Sequence, residues 1–169
     1  MARLGPGDPD RRIDDSGRVS RELKRLDPWT YWVVPAPAEE FGDFVVLGTT
    51  GAFLVAAVGT EGYAETTGRS LKISGRKVGG MSSLRRSARR IRGRLASAAV
   101  FAEVEPVACL TRAPAGAPRT VGGVRAVPVS ELIRDLTERP KVLLPNRARR
   151  GAESLGLATD QQSKPEEAG

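Results

Sequence analysis

Between positions 29 and 58 apolar residues cluster into short runs separated by proline, glycine and threonine. Trp29–Val34 reads as a strand stopped by Pro35-Ala36-Pro37. Two further apolar runs, Phe44–Leu47 and Ala52–Val58, flank Gly48-Thr49-Thr50-Gly51, the arrangement of a β-hairpin. After a loop over Gly59–Gly68, Ser70–Ser74 predicts another strand ending in the turn Gly75-Arg76-Lys77. Val104–Leu110 and Val124–Val129 predict two more, with a Pro/Gly loop over Thr111–Thr120 between them.

A different period marks the helices. Leu84, Ala88, Ile91 and Leu95 follow i, i+4, i+7 and i+11 and form one apolar stripe. They predict a helix capped by Ser82 or Ser83 and running to about Ala99, roughly 27 Å long at 1.5 Å per residue. Ser130–Glu138 reads as a helix with Ser130 as cap and Glu131, Asp135 and Glu138 on its exposed side. Shorter helices are expected over Val19–Leu26, with Ser20 as cap, and over Pro145–Leu157. Residues 1–17 and 158–169 lack periodicity and are expected to be disordered, leaving one domain over 18–157. Strands interleaved with helices in this order predict an α/β fold, a sheet covered by helices.

Composition narrows the chemistry. The chain has no histidine, which removes His-dependent triads and every metal site that needs imidazole. Its single cysteine, Cys109, excludes an internal disulfide and a thiolate cluster, and its apolar neighbours predict a buried structural thiol. Six of the eight aromatics lie between Trp29 and Phe53, so the core is expected to be anchored there. The first residues carry no apolar stretch of signal-peptide length, and no run approaches the ~20 residues needed to cross a bilayer. A cytoplasmic protein without a membrane partner is the expectation.

Charge is concentrated. From Arg69 to Arg94 there are ten basic residues and no acid, so this segment carries +10 in a chain of net +7 and the remainder is −3. A localised patch of this kind predicts a polyanion partner, DNA or RNA. Arginine outnumbers lysine 22 to 5, a bias that GC-rich coding also produces. The candidate nucleic-acid contacts are Lys72, Arg76, Lys77, Arg85, Arg86, Arg89, Arg90, Arg92 and Arg94. The segment contains no aromatic residue, which points to sequence-tolerant phosphate contacts rather than base reading.

The hairpin carries a resemblance. Asp43 opens its first strand, Gly51-x-Phe53 begins its second, and Gly62 follows. In these positions the chain resembles the nuclease-related domain (NERD) family, relatives of the restriction endonucleases. The likeness extends over roughly Leu23 to Leu157 and includes Gly75-Arg76 and Val121-Gly122-Gly123-Val124. It implies a restriction-endonuclease-like α/β/α core with a mixed sheet. It also implies an acid-x-Lys triplet on the second strand, where this chain has Ala56-Ala57-Val58.

Nucleases of this group hold Mg²⁺ between carboxylates, and a lysine stabilises the developing charge or orients the attacking water. Strand alternation sets the acid and the lysine, two apart, on one face. Here those positions are Ala56 and Val58, so Asp43, Ala56 and Val58 are vestigial and neither catalytic residue nor metal ligand is expected. Asp43 is left to cap the hairpin or to pair with an arginine. Three functions stay open: a catalytically inactive nuclease-related domain that binds nucleic acid through its basic helix, a protein-interaction module on the same fold, and a metal-dependent nuclease with a relocated site. The last would use Mg²⁺ and draw on Glu39, Glu40, Glu61 or Glu65 with Lys72 or Lys77.

Overall fold

The structure, a computed structural model, describes residues 9–113 and 118–157. Helix α1 (Pro9–Leu23) is followed by an antiparallel meander of β1 (Tyr31–Pro35), β2 (Phe44–Gly48) and β3 (Gly51–Val58). A separate three-stranded sheet comes next, built from β4 (Ala64–Thr67), β5 (Ser70–Ile73) and β6 (Arg76–Lys77). Helix α2 (Met81–Ser97) then carries the chain over to β7 (Val104–Leu110), which pairs with β3 in parallel. Parallel neighbours need such a crossover because the end of one strand and the start of the next lie at opposite ends of the pair. Strands β8 (Arg119–Val121) and β9 (Val124–Pro128) complete a six-stranded mixed sheet in the order β1-β2-β3-β7-β9-β8. A single 3₁₀ turn, Val129–Glu131, leads into α3 (Leu132–Thr137), and α4 (Pro145–Ser154) ends the described chain.

Alternation along β3 sorts its side chains onto two faces. Ala52, Leu54 and Ala56 meet the stripe Leu84, Ala88, Ile91 and Leu95 of α2, together with Ala148 and Ala152 of α4. Phe53 and Val55 meet Val19 and Leu23 of α1 and Leu132 and Leu136 of α3. Each of the large side chains fully buried here contributes about 1.5–3 kcal/mol of transfer free energy. Gly151 lets α4 settle this closely, since a Cβ there would lie 2.6 Å from Leu47 Cδ2. The protein is thus an α/β structure with a mixed sheet flanked by helices on both faces.

Several expectations are corrected. Residues 9–17 of the segment expected to be disordered are helical, because Asp15, Val19 and Leu23 share one buried face at four-residue spacing. Ser20 lies inside that helix and does not cap it. The loop over Gly59–Gly68 contains β4, whose single inward apolar residue, Ala64, gives too short a pattern to read. Gly75-Arg76-Lys77 is not the turn: Ser74 (φ 50°) and Gly75 (φ 82°) form it, and Arg76 and Lys77 are already strand. Strand β8 lies in the supposed loop Thr111–Thr120, of which 114–117 fall outside the described residues, as does the tail 158–169. The caps of α2 and α3 also differ. Gly80 precedes α2, while Ser82 and Ser83 accept hydrogen bonds from Arg85 and Arg86. Ser130 belongs to the 3₁₀ turn, and Asp135 is half-buried in ion pairs with Arg125 and Arg139, not exposed.

Candidate functional site

Asp43 stands one residue before β2, where β3 runs on beyond its antiparallel partner. That leaves the Ala57 N–H without a strand to meet, and Asp43 Oδ2 accepts it at 2.7 Å. Oδ1 accepts from the Ser16 hydroxyl of α1 at 3.1 Å. The carboxylate therefore ties the open end of the hairpin to the first helix. Ala56 is 5% exposed inside the core beneath α2, and Val58 is half-buried against the same core and the small sheet. The face that would carry an acid and a lysine is apolar contact surface.

The acids that a relocated site would need are dispersed. Glu40 pairs with Arg90 at 2.7 Å and Glu39 with Arg94 at 3.5 Å, Glu61 lies 3.7 Å from Arg112, and Glu65 stands across from Lys72 in the β4–β5 ladder. Among the described residues no group of three or more Asp, Glu or Cys is placed to hold a metal ion.

The nine candidate phosphate contacts divide into two groups. Arg90, Arg92 and Arg94, in the C-terminal half of α2, are ion-paired with Glu40, Glu103 and Glu39. The segment Glu39–Phe41 lies along the helix: besides the two ion pairs, the Phe41 N–H donates to the buried Ser87 hydroxyl at 2.8 Å. The Arg90 guanidinium holds the Glu40 carboxyl below its ordinary range, against a smaller opposing effect of burial. The acid-free run is acid-free only along the sequence.

The second group is different. Arg86 and Arg89 on α2 and Arg76 and Lys77 on β6 are exposed, with Lys72 half-buried on β5. None of them is ion-paired with a described residue. Arg85 is the exception in the N-terminal half, since its Nη1 donates to the Gly122 carbonyl at 2.7 Å and stitches α2 to the β8–β9 turn. Gly122 is required there: its φ is 58°, and a Cβ would lie 2.6 Å from the Arg69 carbonyl oxygen. The turn Gly68-Arg69 of the small sheet, the β8–β9 turn and the start of α2 thus meet at one place.

Two features escaped the sequence reading. Asp15 is 4% exposed and accepts hydrogen bonds from Thr111 Oγ1 at 3.0 Å and Arg112 Nε at 2.8 Å, fastening α1 to the chain just after β7. Its place on the apolar stripe of α1 was the available signal. Tyr63, immediately before β4, is 79% exposed, and only the small sheet brings it beside the basic residues of β5 and β6. Cys109 is fully buried in β7, and burial pushes its thiol up to about 12.

No protein-family model, curated protein or solved structure matches this chain. The class defined by the coordinates is a mixed-sheet α/β protein with helices on both faces and exposed cations on the small sheet and the start of α2. No helix among the described residues is long and apolar enough to cross a membrane.

Proposed function

We propose that this chain is a catalytically inactive nuclease-related domain, of the restriction-endonuclease-like kind, that binds nucleic acid without regard to sequence. The observation that carries the reading is the group of cations in no ion pair with a described residue: Lys72, Arg76 and Lys77 on the small sheet with Arg86 and Arg89 on α2. Arginine forks suit phosphate oxygens, and contacts to the backbone carry no base information. Loss of catalysis is supported by Ala56 and Val58 packing into core, and by both carboxylate oxygens of Asp43 serving structural hydrogen bonds.

The test is a titration of labelled duplex and single-stranded DNA and RNA with the purified chain at several salt concentrations, run beside a cleavage assay with Mg²⁺ or Mn²⁺. Binding that weakens steeply with salt, with no metal-dependent cleavage, is the expected result. Cleavage that needs metal and disappears in Asp43→Ala would establish the relocated nuclease instead. Indifference to every nucleic acid would favour a protein-interaction module. That second reading draws on one observation of its own, the exposed apolar side chains Phe101, Val142 and Leu144 around the end of α2 and the start of α4.

A further inference from the structure

The small sheet has one covered face and one open face. Leu71 and Ile73 point inward onto Leu110, Val121 and Ala126 of the neighbouring strands. By strand alternation the opposite face carries Glu65 on β4, Lys72 on β5 and Lys77 on β6, which lie in one row across the three strands. Tyr63 continues β4 by one position onto that open face. Its carbonyl accepts the Ser74 N–H at 2.8 Å, and its own N–H donates to Ser74 Oγ at 3.2 Å. Gly62 makes this clasp possible: its φ is 129°, and a Cβ there would fall 1.9 Å from Ser74 Oγ. The backbone of Tyr63 is held while its ring stays 79% exposed. Arg76, exposed beside the Ser74-Gly75 turn on the edge strand β6, stands across from Ile73, so the open face itself carries Lys72, Lys77 and one acid, Glu65, with an open aromatic ring at its end.

We propose that the β4–β6 face is a single-strand site, with Tyr63 stacking on an unpaired base, Lys72 and Lys77 taking the flanking phosphates, and Arg76 adding charge from the sheet edge. The inference rests on the nucleic-acid reading above and adds the class of ligand. A base in a duplex has both faces covered by its neighbours, so a stacking ring distinguishes single strands, whereas cations alone do not. Every base has a π-face, so such stacking tolerates sequence.

The experiment is an anisotropy titration of labelled oligothymidylate and of a labelled mixed-sequence duplex with the full chain. Its variants are Tyr63→Ala, Tyr63→Phe, and the pair Arg76→Gln with Lys77→Gln. Tyr63→Ala is expected to weaken oligothymidylate binding by about fivefold to a hundredfold, the range measured for one lost base–aromatic stack, and to leave the duplex unchanged. Tyr63→Phe keeps the ring and should keep the affinity, while the Arg76/Lys77 pair should weaken both probes. Oligothymidylate binding that survives Tyr63→Ala overturns the stacking site but leaves the nucleic-acid reading standing if the Arg76/Lys77 pair still weakens both probes. Equal losses on both probes in Tyr63→Ala also overturn it. Failure of the unaltered chain to bind either probe overturns both readings.

Discussion

Two regions of this molecule, the end of β3 and the small sheet with the start of α2, have opposite characters. At the end of β3, Ala56 and Val58 are packed against α2 and the small sheet, and Asp43 holds a strand end and a helix together. On the surface formed by the small sheet and the N-terminal half of α2, arginines and lysines stand open. The difference teaches that cutting a phosphodiester and holding one place separate demands on a fold. Catalysis needs carboxylates converging on a metal in a cleft kept free of side chains. Phosphate binding needs only exposed cations at workable spacing. Helix α2 repeats the contrast on a smaller scale, with its C-terminal arginines matched to Glu39, Glu40 and Glu103 and its Arg86 and Arg89 left open.

The comparison breaks most visibly if the end of β3 is refilled with charge. Ala56→Glu together with Val58→Lys should cost several kcal/mol, because a carboxylate at Ala56 enters a dry core without a built partner. Thermal unfolding measures this, and a double variant as stable as the parent would mean that the face is an open cleft. Next in size is the loss from replacing Arg76, Lys77, Arg86 and Arg89 with Gln. Each lost phosphate contact should flatten the slope of log affinity against log salt by about 0.9 on duplex DNA or about 0.7 on single strands. The matched triple at Arg90, Arg92 and Arg94 should lose less, since those side chains already face carboxylates. Equal losses from the two sets would reduce the basic surface to diffuse attraction.

Asp43→Ala sharpens the same contrast from the other side. Removing the acceptor of the Ala57 N–H and the Ser16 hydroxyl should cost about 1–3 kcal/mol of stability, while nucleic-acid affinity stays the same. A fall in affinity at unchanged stability would place Asp43 on the binding surface after all. The smallest effect is expected from Glu39→Gln with Glu40→Gln, which frees Arg90 and Arg94 and should tighten polyanion binding by a few-fold. This variant also carries a pH signature. The Glu40 carboxyl is held below its unfolded value by Arg90, so its contribution to stability is present above about pH 4.3 and is lost as pH falls through the lower folded value. Acid titration of the parent should show that loss, and the Gln variant should not. The Arg90 side chain is 54% exposed, so the change is small.

Much of the frame was legible in the chain itself. The Phe44–Leu47 and Ala52–Val58 runs predicted the hairpin nearly to the residue, and Val104–Leu110 forms the strand its pattern implied. The stripe Leu84, Ala88, Ile91 and Leu95 is the buried face of α2. These are elements with a long apolar period buried in a large core, where side-chain burial and local propensity agree. Elements with only one or two inward residues, β4, β6 and β8, left no such pattern and were missed.

What the sequence determined by itself was the order of the main elements, the α/β class, and the lack of any acid or lysine from Phe44 to Thr60, because periodicity and residue identity are local properties. What only the tertiary structure decided was which charges are ion-paired. A run of ten cations without an acid became a surface in which three are matched by Glu39 and Glu40, from far back along the chain, and by Glu103 just past the helix, because ion pairing depends on distance in space. The same holds for Tyr63. It lies outside the basic segment in sequence, and the pairing of β4 with β5 sets it beside Lys72 and Lys77, since strand register fixes neighbours that no linear pattern records.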